Sequence, residues 1–221
     1  MEINTIGDGV YLVIDPSLEK SVLLSKLRLS LEGGLSAVQV WNHWPHQMDR
    51  KEKSFLIDRI LDLTRPYKIP VFMNDEWFFL KDTGIHGVHF DTIPDNFEEI
   101  KHSVARPFLK GITVGNDSET IKWAGKNDFT YISFCSMFPS SSVTSCDIID
   151  LETVKNARDV SNLPIYLSGG ITLKNIHLFN GLMFNGIAVI SGILNVEDPK
   201  KATTDYRKEL FRISNPGKKP S

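Results

Sequence analysis

The chain has 221 residues, 41% of them hydrophobic and 24% charged, with 25 Lys+Arg against 27 Asp+Glu for a formal charge of −2. That is enough chain for one sizeable core, and the composition excludes wholesale disorder or a fibrous repeat. The near-neutral balance leaves no electrostatic footprint for nucleic acid, and no apolar run approaches the roughly 20 residues that cross a bilayer. Two cysteines, Cys135 and Cys146, make neither a disulfide framework nor a zinc cluster. The N-terminus lacks a basic region followed by an apolar one, so the expectation is a cytoplasmic protein without membrane or nucleic-acid partners.

In chain order, strands are predicted at Val10 to Ile14, Leu35 to Val40, Ile69 to Met73 and Gly87 to Phe90, then Phe108 to Val114, Phe129 to Phe134, Pro164 to Leu167 and Gly186 to Ile190. Several are continuous apolar runs without alternation, as strands covered on both faces require. Helical spacing fills the gaps. Lys53 to Leu63 places Phe55, Leu56, Ile60 and Leu63 on one face, and Glu152 to Val160 does the same with Val154, Ala157 and Val160. Thr172 suits an N-cap before Leu173, and Gly181 a stop after Asn180. Eight strands alternating with about eight helical segments predict an α/β chain folded as a single (β/α)8 TIM barrel over 1–213, with 214–221 a disordered C-terminal tail. A doubly wound open sheet competes, because periodicity does not report closure.

In such a barrel the residues just after each strand build the site. The ends of the seventh and eighth predicted strands carry Ser168-Gly169-Gly170 and Ile190-Ser191-Gly192. Glycines there let backbone N–H groups approach a phosphate, although each also suits a tight turn. Asn74-Asp75 reads either as a Mg²⁺ carboxylate or as a helix cap ahead of Glu76 to Leu80. His89 inside an apolar strand suits a hydrogen-bonded core histidine, and His43, between Trp41 and Trp44, suits either the barrel mouth or the surface. Ser140-Ser141-Ser142 offers hydroxyls to an anion or forms a plain loop, and Cys135 reads as a small strand residue. The run Trp77-Phe78-Phe79 serves a homo-oligomer interface or the core equally well.

Several short stretches share an order and spacing: Tyr11-Leu12-Val13-Ile14-Asp15, Gly34 to Gln39, Asn74-Asp75, Gly84 to His89, Asp128 to Ile132, Met137-Phe138-Pro139, Gly169-Gly170-Ile171 and Gly186 to Ser191. In this the chain resembles the thiamine phosphate synthase family, including its thiazole tautomerase branch, from Tyr11 to about Ile193. The resemblance implies a (β/α)8 barrel that joins a hydroxymethylpyrimidine diphosphate to a thiazole phosphate and releases pyrophosphate with Mg²⁺. It implies Gln39 against the pyrimidine, and Asn74 with Asp75 at the diphosphate and metal. Gly169, Gly170, Ile190 and Ser191 become a cradle for the thiazole's phosphate, with Ser140 and Ser142 supplying loop hydroxyls.

The departures share a theme. Where the family follows its glutamine with Leu-Arg-x-Lys, this chain has Val40-Trp41-Asn42-His43; the loop lysine expected after Pro139-Ser140-Ser141-Ser142 is Val143; the expected serine is Gly115. The second metal carboxylate aligns with Pro94, leaving Asp91 to reach in, and the tautomerase histidine aligns with Ser136, leaving His43 as the replacement base. Fixed cations that neutralise a departing diphosphate are worth a few kcal/mol each, so their loss is expected to impair that half of the site. Three readings follow: a divergent synthase, an isomerase of a thiazole phosphate, and a non-catalytic protein binding a small phosphate ligand.

Overall fold

The computed structural model describes residues 5–139 and 147–215. The strands are β1 (Gly9–Ile14), β2 (Ala37–Val40), β3 (Val71–Asn74), β4 (Gly87–Phe90), β5 (Leu109–Val114), β6 (Tyr131–Phe134), β7 (Ile165–Ser168) and β8 (Gly186–Val189). All pair in parallel in sequence order, and β1 also pairs β8 with Tyr11 opposite Ala188, so the sheet closes into a (β/α)8 barrel. The open sheet is thereby excluded. The helices are α1 (Lys20–Gly33), α2 (Arg50–Thr64), α3 (Phe79–Asp82), α4 (Phe97–Val104), α5 (Ser118–Lys126), α6 (Leu151–Val160), α7 (Ser191–Leu194) and α8 (Pro199–Ser214). None is long and apolar enough to cross a membrane.

Local chemistry explains the helix boundaries. Asp49 and Glu52 form a reciprocal capping box at the start of α2, and Asp117 and Asp150 cap α5 and α6. The buried face of α2 is Leu56, Ile57, Ile60 and Leu61; Phe55, expected on that face, is 64% exposed. No α-helix follows Thr172. The segment instead makes one turn, in which the Asn175 and Ile176 N–H groups both bond the Thr172 carbonyl and Asn175 Oδ1 accepts from the Thr172 N–H, and it continues as a 3-10 helix, Ile176–Phe179. Ser214, expected to open the tail, is the last residue of α8, and residues 216–221 lie outside the described residues. Phe79 is buried while Trp77 and Phe78 pack half-buried against the core.

The core has two layers. The larger lies between barrel and helices, and the smaller fills the barrel itself with Tyr11, Phe72, Tyr131 and Tyr166, whose ring centroids lie 5.3 to 5.9 Å apart. Glycines on neighbouring strands make room for these rings. A Cβ on Gly111 would lie 2.1 Å from Tyr131 Cζ, and one on Gly186 would lie 2.6 Å from Tyr166 Cε1. The seam between the chain's two ends is closed by α1 against α8, where Gly33 lets the Lys200 carbonyl approach, and by Lys26 Nζ donating to the carbonyls of Leu194 (2.6 Å) and Val196 (2.9 Å).

Gly111→Ala forces a methyl group into a ring that three other aromatics hold in place. It is expected to cost about 1–3 kcal/mol, read as a lowered midpoint in chemical denaturation with an unchanged slope. An unaltered midpoint would show that the aromatic layer yields.

Candidate active site

The C-terminal ends of the strands surround a cavity of about 530 Å³. A larger one of about 880 Å³ opens at the opposite end, by Gly9, Ser36 and His86. Ligand chemistry in this architecture belongs to the C-terminal face, and the smaller cavity is the one lined by the site residues expected from the sequence, Gln39, Asn74, Gly169, Gly170 and Ser191 among them.

On one side of that cavity, Gly169 and Gly170 leave β7 in left-handed conformations (φ 87° and 64°), and Ile190, Ser191 and the start of α7 follow β8. The N–H groups of Gly169, Gly170, Ser191 and Gly192 donate to no backbone carbonyl among the described residues. A cluster of such N–H groups is a nest suited to an anion. The glycines are required by space as well as by φ. A Cβ on Gly170 would lie 2.6 Å from the Pro139 carbonyl oxygen, and one on Gly169 would lie 2.6 Å from Ser136 Oγ.

Opposite, β3 and β4 bring Asn74, Asp75 and Asp91 together. Asn74 Nδ2 donates to Asp75 Oδ2 (3.2 Å) and Asp91 Oδ1 (3.0 Å), and the Asp91 N–H donates to Asp75 Oδ1 at 2.9 Å. Asp75 therefore caps no helix; its backbone is left-handed (φ 54°) and its N–H bonds the His89 carbonyl. Burial, and then the Asp75 charge, raise the Asp91 pKa to about 6. Among the described residues lining the cavity there is no lysine or arginine.

Between the two sides stands Gln39, whose Oε1 accepts from Tyr11 Oη at 3.0 Å. His89 is buried beneath, its Nδ1 2.9 Å from Tyr131 Oη and its Nε2 2.9 Å from Thr113 Oγ1, and burial lowers its pKa to about 4. Trp41 forms an apolar wall.

Of the expected site residues, Gln39, Asn74, Asp91, Gly169, Gly170, Ile190 and Ser191 line this cavity, with Asp75 bonded to two of them. His43 does not line it. It stands on the rim, stacked near Trp41 with ring centroids 4.7 Å apart, its Nδ1 3.1 Å from Asp15 Oδ1, and its side chain is 58% exposed. Ser136 is also absent from the wall; it is buried under Gly169, with its Oγ 3.4 Å from Cys135 Sγ. Ser140 and Ser142 lie outside the described residues. Cys135, read as a strand residue, follows β6 and lines the cavity, as do Thr92, Thr113 and Ser133. Their position one or two residues around a strand end was the available signal.

Fold and site thus define a (β/α)8 barrel with a polar-lined cavity at the C-terminal ends of its strands. The family model described as thiamine monophosphate synthase matches residues 10–193, and the chain belongs to that family. Thiamine-phosphate synthase of Methanobrevibacter smithii is 24% identical over 96% of this chain and 99% of its own. That of Hydrogenobaculum sp. is 28% identical over 93% and 94%. The thiamine phosphate pyrophosphorylase structure from Pyrococcus furiosus superposes with a TM-score of 0.80 at 26% identity, covering 96% and 98%.

The His89 environment makes stability pH-dependent. Its unfolded-state pKa is near 6.5 and its folded value about 4, so the unfolded chain binds the proton first. Stability is complete above about pH 6.5 and falls by about 3 kcal/mol as pH drops to 4. Urea titrations from pH 7 to 4 should show this fall in the wild type and a flatter profile in His89→Asn; equal slopes would assign acid loss elsewhere.

Proposed function

We propose that the chain is a divergent thiamine-phosphate synthase, joining a hydroxymethylpyrimidine diphosphate to a thiazole phosphate and releasing pyrophosphate in the cytoplasm. The observation that carries the reading is one cavity with an N–H nest on one wall, paired carboxylates on the other, and Gln39 between them. In this reading the nest of Gly169, Gly170 and Ser191 holds the thiazole's phosphate, Gln39 meets the pyrimidine, and Asn74 orients the two carboxylates.

The donor set fits Mg²⁺. No cluster of three or more potential ligands occurs among the described residues, yet Mg²⁺ is commonly held by one or two carboxylates completed by substrate phosphates. Asp75 and Asp91 supply two whose mutual repulsion no lining cation relieves. They would hold the ion, which supplies positive charge to a diphosphate when bound. Ser140 and Ser142 are proposed to add hydroxyls from the loop.

As the carbon–oxygen bond to the diphosphate breaks, its electron pair leaves with pyrophosphate, and the site must balance that charge. Trp41 and His43 stand where the resemblance expects arginine and lysine, which supports slow turnover. The same observation favours a second reading, a non-catalytic protein that binds the thiazole phosphate alone. His43 lies outside the cavity lining, on the far side of Trp41 and beside Asp15, which does not favour it as an isomerase base.

Both readings are separated by incubating the protein with the two substrates and Mg²⁺ and measuring pyrophosphate. Slow release is expected, and Trp41→Arg should raise it about 10²-fold by restoring one charge donor. No release from either protein would discard the synthase reading in favour of the binding one. By calorimetry, Gly170→Ala should weaken thiazole phosphate at least tenfold; undiminished affinity would remove the nest from both readings.

A further inference from the structure

Four side chains beneath Gln39 have no part in the chemistry above, yet they are joined end to end. Tyr11 Oη donates to Gln39 Oε1 at 3.0 Å; Tyr11 Oη and Tyr131 Oη are 2.9 Å apart; Tyr131 Oη and His89 Nδ1 are 2.9 Å apart; His89 Nε2 and Thr113 Oγ1 are 2.9 Å apart. Each phenol has one proton, and that fixes every direction. Tyr11 spends its proton on Gln39, so Tyr131 must donate to Tyr11. Tyr131 then has none left for His89, so His89 Nδ1 must donate to Tyr131. A neutral imidazole carries a single N–H, so Nε2 is bare and accepts from Thr113.

We infer that Thr113, His89, Tyr131 and Tyr11 form a one-way hydrogen-bond relay that ties down the Gln39 carbonyl oxygen and leaves its amide N–H₂ for the ligand. The site thereby selects a heteroaromatic ring with an unprotonated nitrogen or a carbonyl acceptor at that point. Tyr11, Tyr131, His89 and Thr113 are positioning residues: they act through Gln39. Among the described residues no hydrogen bond uses the Gln39 amide nitrogen, and Gln39 lines the cavity. Buried chains of this kind strengthen along their length, and reversing one link reverses the rest.

The ligand half of this inference rests on the proposed function, and the relay half does not, because it is read in the ligand-free protein. Histidine ¹⁵N labelling with long-range proton correlation reports the His89 tautomer, its signal identified by loss in His89→Asn. The wild type should carry the proton on Nδ1. Tyr11→Phe, which removes no direct His89 contact, should move the proton to Nε2, because Tyr131 is then released to donate to Nδ1. Gln39→Leu should do the same and serves if Tyr11→Phe fails to fold. Gln39→Glu keeps an acceptor for Tyr11 and should retain the Nδ1 tautomer. Tyr166→Phe, which removes a phenol bonded to the Gly7 carbonyl outside the relay, should also leave it unchanged.

An Nε2 tautomer in the wild type would overturn the inference, since the relay would then run the other way and Gln39 would offer its oxygen. A tautomer indifferent to both Tyr11→Phe and Gln39→Leu would overturn it too. For the ligand half, calorimetry with 4-amino-5-hydroxymethyl-2-methylpyrimidine should give at least tenfold tighter binding than its ring-N-methylated cation, and Gln39→Glu should abolish that ratio. Equal affinities in the wild type, or no binding, would reject the ligand half whatever the tautomer.

Discussion

The packing of four aromatic rings inside the barrel is the constraint on which the molecule depends. Tyr11, Phe72, Tyr131 and Tyr166 occupy the interior as a single layer, and glycines at 87, 111 and 186 exist where their rings and neighbours leave no space for a side chain. Barrels usually fill this space with branched aliphatic residues. Three phenols in their place bring polar oxygens into a dry interior, and each must find a partner. Tyr166 bonds downward to the Gly7 carbonyl, while Tyr11 and Tyr131 bond upward to Gln39 and His89. The layer is at once the floor of the cavity and the source of the hydrogen bonds that order its polar groups.

Above that floor the charges are unevenly spread. The nest after β7 and β8 offers backbone N–H groups, whose direction is set by glycine conformations that no other residue adopts cheaply. The facing wall offers Asp75 and Asp91, held close by Asn74 in spite of their repulsion. Two carboxylates are thus kept together at a cost, with no lining cation among the described residues. The wall that Trp41 provides is apolar and broad, suited to a flat ring more than to an anion.

The fold was largely legible in the chain because a parallel barrel writes itself as continuous apolar runs, and all eight predicted strands fall within two residues of the observed bounds at each end. Closure was not legible, since it depends on the pairing of Gly9 with Gly186 across the full length of the chain. After Thr172 the start signal is real, since Thr172 and Asn175 make a first turn, but the chain continues only as the 3-10 helix Ile176–Phe179, a distinction that apolar spacing does not register. Phe55 has helical spacing and still faces solvent. In the site, Gly169, Gly170 and Asn74 announced themselves by type and place. Asp91 surfaced as a replacement for a carboxylate missing at Pro94. His43, read from its place between two tryptophans as mouth or surface, lies on the rim, and Ser136, which only alignment with the family points to, lies under a glycine. The links among Tyr11, Tyr131 and His89 join residues up to 120 apart, and nothing local marks them.

Lys26 deserves a place beside these groups although it is remote from them in sequence. By holding the carbonyls of Leu194 and Val196 it anchors the far end of α7, whose first residue is Ser191. One side chain of the first helix thus braces the segment that opens at Ser191. Residues 168 positions apart in sequence thereby share the task of fixing the backbone after β8, and a change in the first helix can be felt at the mouth of the barrel.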